Sequence, residues 1–140
     1  MKKTIPLSVI LEAIEETMDG WRQFYNVVTG EVKSIPSWSN AYVGMEEFQE
    51  TAEEIDESDD YVELPTQEDL HEYSIMEQFA EEKNSAPLIR ALRGRKPFRT
   101  FKDQAIELGL DDEYYAFRTL AYADIAREWC RENEIPFTEG

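Results

Sequence analysis

A chain of 140 residues with 41% apolar and 12% aromatic side chains can bury a core, so a formal charge of −17 does not make it a disordered polyelectrolyte. The single cysteine, Cys130, excludes an intramolecular disulfide, and no apolar run approaches the roughly 18 residues of a membrane span. One cytoplasmic domain is expected: two lysines precede the first apolar residues, but Glu12, Glu15 and Glu16 interrupt what would otherwise resemble a signal peptide.

Leu7, Ile10, Leu11, Ile14 and Met18 fall on one stripe at helical spacing, and Asp19-Gly20 supplies a stop. The aromatic and β-branched residues that follow predict two antiparallel strands, 21–27 and 31–35. Their turn is built on Asn26 and Thr29-Gly30, where glycine accepts a positive φ. A lone hairpin is barely stable in water, so it must pack on the helices or gain a third strand, which residues 40–44 (NAYVG) could supply.

Residues 46–82 then hold sixteen Asp or Glu and no Lys or Arg, whereas residues 83–102 hold seven Lys or Arg and no acid. No clean period emerges over 46–64, and this acidic segment is expected to be loop-like, with a helical turn or two near Phe48. Thr66 and Asp69 form a capping box for a helix whose apolar face is Leu70, Tyr73, Met76, Phe79 and Ala80. Glu68, Glu72, Glu77 and Glu81 lie largely opposite. A short helix starts at Ser85 and ends at Gly94 with Leu88, Ile89 and Leu92 inward.

Pro97 opens the next helix, with Phe98, Phe101, Ala105 and Leu108 as its core stripe and Arg95, Arg99 and Lys102 on another face. The last helix, 112–132, begins on acids and ends near Arg127 and Arg131, as the helix dipole favours. Tyr114, Phe117, Ala121, Ile125 and Trp129 form its stripe, with Tyr115 and Tyr122 beside it. The expected fold class is α+β, predominantly helical with about five helices, one β-hairpin packing on them. Residues 1–45 make the first helix and hairpin, and 65–140 the helical part.

Known chemistry finds little purchase. One histidine, His71, is too few for a paired Glu-x-x-His metal site, and an EF-hand frame from Asp56 has Tyr61 where glycine is required. Cys130 stands at a helix C-terminus, where the dipole opposes a thiolate, and is expected in the core. No phosphate-binding glycine loop is present, and no cofactor or metal is expected. Catalytic residues are unassigned, and an enzyme with a carboxylate-based site is the least favoured class.

The stretch from Ile89 to Ile135 resembles a small bacterial family known as uncharacterised protein family 0158. Its Gly-Arg-x-x-Phe-Arg-x-Phe-Lys-Asp run is matched by Gly94, Arg95, Phe98, Arg99, Phe101, Lys102 and Asp103, and its later aromatic pair, Phe-Arg and Trp by Tyr114, Tyr115, Phe117, Arg118 and Trp129. The first helix, the Thr29-Gly30-Glu31 turn and EYSIMEQF at 72–79 also look similar, while Pro97 stands where the family has a small residue. The resemblance implies one intact bacterial cytosolic domain and carries no activity, cofactor or catalytic residue.

The charge pattern leads to a non-enzymatic acidic binding or adaptor domain with a protein partner, basic or a second copy in a homodimer. Its acidic surface would be Glu53, Glu54, Asp56, Glu57, Asp59 and Asp60, able to imitate nucleic-acid charge. The alternative is phosphate or nucleic-acid binding through the run Arg90–Lys102, with Arg95, Arg99, Lys102 and Arg118 as anion contacts. The bland account of that run is internal: its cations face the acidic block 46–82.

Overall fold

The computed structural model describes residues 2–17, 20–36 and 46–139. They fall into two compact units, one made of Met1–Leu70 with Ala123–Gly140 and the other of His71–Tyr122. The fold is α+β and predominantly helical, as expected from the periodicities. Among the described residues no helix is long and apolar enough to cross a membrane.

In the first unit, β1 (Ile5–Pro6) leads directly into α1 (Leu7–Glu16), which buries Leu7, Ile10, Ala13 and Ile14. The helix ends at Thr17, ahead of Gly20 at φ 84°. Strands β2 (Trp21–Asn26) and β3 (Val32–Pro36) form the expected hairpin. Its turn uses the predicted residues: Gly30 takes φ 83°, and the Asn26 side-chain oxygen accepts the Val28 and Thr29 amides, each at 2.9 Å.

The acidic segment departs from expectation. Residues Glu46–Glu57 form a helix, α2, and Tyr61–Glu63 form a strand, β4, which pairs antiparallel with β2 and makes it the central strand of β3-β2-β4. Phe48, Ala52 and Ile55, spaced i, i+4, i+7, pack on Phe24, Ile35 and Tyr61 of the sheet. Three apolar residues in twelve are too few to stand out as a period, yet they suffice once a sheet face is there to receive them. The third strand thus comes from the acidic segment, and residues 40–44 lie outside the described residues.

A one-turn α3 (Gln67–Leu70) begins on the predicted capping box. Asp69 Oδ2 accepts the Thr66 amide at 2.9 Å, and Thr66 Oγ1 accepts the Asp69 amide at 3.4 Å. Near the other end of the chain β5 (Phe137–Thr138) pairs in parallel with β1, a contact that no local pattern announces.

The second unit is helical. The expected helix over 66–80 is broken at His71, whose backbone is left-handed at φ 52°, and α4 (Glu72–Glu82) starts afresh after it. Ser85 caps α5 (Ala86–Arg93) through the Leu88 amide, and Pro97 is the first residue of α6 (Pro97–Glu107), where its missing N–H costs nothing. Its N-cap, Lys96, is left-handed at φ 48° and makes no side-chain cap. The first part of α7 (Asp111–Glu132) completes this unit and its later turns belong to the other. The core is aromatic: the Phe79, Phe101 and Tyr114 rings meet near edge-on with centroids 5.0–6.4 Å apart, the favoured geometry for ring quadrupoles.

Of the expected stripe residues, Tyr73, Phe98 and Leu108 are exposed, and Leu11, Ile89, Phe117, Ala121 and Ile125 are half-buried. Phe98 is 43% exposed and Leu108 is exposed too, because α6 buries only Phe101 and Ala105, one turn apart. Tyr73 also lies outside the core, its hydroxyl donating to the Leu92 carbonyl at 2.9 Å and its ring edge-on to Phe98 at 6.3 Å. Along α7 the buried residues are Tyr114, Tyr122, Ala123, Ala126, Trp129 and Cys130, with Tyr115 exposed.

Candidate functional site

The second unit is organised around a buried carboxylate. Glu72 opens α4, where the positive end of the helix dipole favours an anion, and its residue surface is only 6% exposed. Tyr114, in the first turn of α7, donates its hydroxyl to Glu72 Oε2 at 2.8 Å. One turn later the Arg118 Nη1 donates to the same oxygen at 3.0 Å, and Lys102 Nζ of α6 lies 3.5 Å away. The guanidinium of Arg118 lies over the rings of Tyr115 and Tyr122, at 4.8 and 5.4 Å from their centroids.

Burial pushes the Glu72 carboxyl toward the neutral form. The hydrogen bonds from Tyr114 and Arg118 and the charges of Lys102 and Arg118 outweigh it, holding the group below the usual carboxylate range. Burial and then the Glu72 charge push the Tyr114 hydroxyl the other way, well above its ordinary value. A carboxylate held ionised by two cations is a poor proton donor, and the cations facing it are already engaged. The cluster ties α4, α6 and α7 together.

Glu72 was expected on the outer face, and the break at His71 explains the error. Counted back from Ile75, Met76, Phe79 and Ala80, position 72 falls on the buried stripe; counted from Leu70 across His71, it does not. The later stripe was the signal that could have found it.

The four expected anion contacts are split. Lys102 and Arg118 converge on Glu72, so Arg118 is not an open anion contact, although its buried Nε has no hydrogen-bond partner. Arg95 and Arg99 are exposed; Arg99 has a loose 3.9 Å pair with Asp103, and the Arg95 side chain has no partner among the described residues. Arg90, Arg93 and Lys96 resemble Arg95 in this. Among the described residues, Lys102–Glu72 is the one ion pair that joins the run to the acidic block 46–82, so internal pairing accounts for little of it.

The six expected acidic-surface residues lie on α2 and the turn after it. Glu53, Glu54, Asp56, Glu57 and Asp59 are exposed and Asp60 is half-buried. Glu54 alone of the six is neutralised among the described residues: Lys33 Nζ reaches it at 2.8 Å and the Tyr61 hydroxyl at 3.2 Å, and the Lys33 hydrogen bond holds its carboxyl below the usual range.

Cys130 is fully buried, and burial pushes its thiol up to about 11, which removes it as a nucleophile in the folded chain. Compared with known proteins, the chain matches no family model, no curated protein and no solved structure.

Proposed function

We propose that this protein is a non-enzymatic binding domain that engages a basic protein through the outward carboxylates of α2 and the turn after it. The observation that carries this reading is that residues 46–57 of the acidic segment form a helix packed on the sheet through Phe48, Ala52 and Ile55, so that Glu53, Asp56 and Glu57 stand on a regular element and not on a loop. Fixed carboxylates lose less freedom on binding than those of a flexible loop, and they repel a wrong partner as firmly as they attract a basic one. Proteins that bind nucleic acid present the matching surface, and the carboxylates of α2 would stand in for phosphates there.

Fluorescence anisotropy of a labelled Arg- and Lys-rich peptide tests this. Binding is expected at low salt, weakening as screening shortens the Debye length from about 30 Å at 0.01 M to about 8 Å at 0.15 M. Replacing Glu53, Asp56, Glu57 and Asp59 by their amides should weaken it at least tenfold. A peptide that fails to bind at low salt overturns the proposal.

A second reading has its own support in the exposure of Phe98 between Arg95, whose side chain has no partner among the described residues, and the loosely paired Arg99. An open aromatic ring beside cations suits a single-stranded nucleic acid, whose bases stack while its phosphates pair. Oligonucleotide binding that is lost in Phe98→Ala and in Arg95→Ala/Arg99→Ala would favour it. An unaffected or absent signal would dismiss it.

A further inference from the structure

The first unit contains a cleft of about 350 Å³, walled on one side by Glu63, Leu64, Pro65 and Asp69 and on the other by one face of α7, Ile125, Glu128, Trp129 and Glu132. Its floor is apolar and aromatic and its rim carries four carboxylates. The α7 residues are spaced i, i+3, i+4, i+7, so the helix itself sets Ile125, Glu128, Trp129 and Glu132 on one face, with the two glutamates one turn apart along it.

The rim acids are not equally available. Both oxygens of Glu63 receive the Arg22 guanidinium, at 2.7 and 3.1 Å. Asp69 uses Oδ2 on Thr66, at 2.9 Å from its amide and 3.0 Å from its hydroxyl, which leaves Oδ1. Glu128 has a loose contact with Arg131 at 3.9 Å, and Glu132 has no partner among the described residues. Trp129 is only 7% exposed and donates its indole N–H to the Glu63 carbonyl at 2.8 Å, so it offers a ligand only the part of its π surface that the cleft leaves open.

These features select a ligand class. Among the described residues no three acids, His or Cys are grouped tightly enough to hold a metal ion. A cation with spread charge and an apolar stem fits better. A guanidinium can donate to several separated carboxylates at once, is weakly hydrated and stacks on an indole, whereas an ammonium is a compact and strongly hydrated point charge. The volume suits one long side chain rather than a larger ligand, which would need the upper part of the usual range for pockets.

We propose that this cleft is a guanidinium site that receives one arginine side chain of the basic partner. The inference deepens the reading above and rests on it for the identity of the partner, since the cleft and α2 both belong to the acidic unit.

Nuclear magnetic resonance of the ¹⁵N-labelled full chain tests it, with two capped pentapeptides as probes, Gly-Gly-Arg-Gly-Gly and its citrulline counterpart, which keeps the shape and loses the charge. The arginine peptide is expected to shift the Trp129 indole signal and the amides of Glu128 and Glu132, and the citrulline peptide to leave them in place. Glu128→Gln/Glu132→Gln should weaken the arginine peptide at least tenfold with no loss of Tm, the two side chains being exposed and alike in charge. If those signals stay still, or citrulline moves them equally, the site is overturned, even where the polybasic peptide still binds α2. If they move while no polybasic peptide binds, the site stands as one for guanidinium ligands and the wider reading falls.

Discussion

The single residue that matters most to the second unit is Glu72. Its folded pKa is depressed below the ordinary 4.5, so it contributes stability that is present above that value and lost as pH falls through the folded one. Glu72→Gln leaves Arg118 and Lys102 without their anion and should cost about 3 kcal/mol at pH 7. Urea unfolding should show the gap between variant and wild type closing as pH falls below 4.5; a gap that does not depend on pH would mean that packing, not charge, is what the glutamate supplies. Cys130 makes an independent test of burial. Its thiol should resist alkylation at pH 8 in the native protein and react at once in denaturant; rapid native labelling would mean that the turns of α7 around it open readily. Neither side chain betrays its environment by type. Glutamate usually lies outside, and only the phase of the stripe from Ile75 to Ala80 put this one inside.

At the scale of elements, α2 carries the main claim about function, and its anchoring can be weighed. Ile55 is buried among Phe24 and Ile35, so Ile55→Ala should destabilise the first unit by about 3 kcal/mol by thermal or urea unfolding. It should also weaken binding of the polybasic peptide although it removes no charge. Unchanged stability would mean that α2 does not depend on the sheet. The elements legible from local pattern were those with a strong internal period or a punctuating residue: α1, the Asn26–Gly30 hairpin, the Thr66–Asp69 box, α5 after Ser85, and α7. Those missed depended on a partner. α2 has a thin stripe that only a sheet face makes sufficient, β4 is three residues long, and β1 and β5 are two residues each, below the length at which alternation can be counted. The break at His71 was missed because a left-handed histidine leaves no mark on a helical period.

Over the whole molecule the charge is lopsided between the units. Residues 1–70 and 123–140 hold 22 acids against six cations, while 71–122 hold nine against eight. Self-repulsion among like charges should therefore be a measurable burden, and Tm should rise by several degrees as salt goes from about 0.01 to 0.15 M. A Tm that falls with salt would mean that attractive pairs such as Arg22–Glu63, Lys33–Glu54 and Arg127–Glu139 outweigh the repulsion. The sequence by itself determined the fold class, the helices with strong stripes, the hairpin turn and the separation of acidic from basic blocks, because each is written in spacing, turn chemistry or composition along the chain. Tertiary structure alone decided that the acidic block is a helix on a sheet, that Glu72 is buried while Phe98 is not, and that Glu63 and Asp69 meet Glu128 and Glu132 around one cleft. Those outcomes turn on surfaces brought together from distant positions, and burial is a property of the surfaces that meet, which no local pattern encodes.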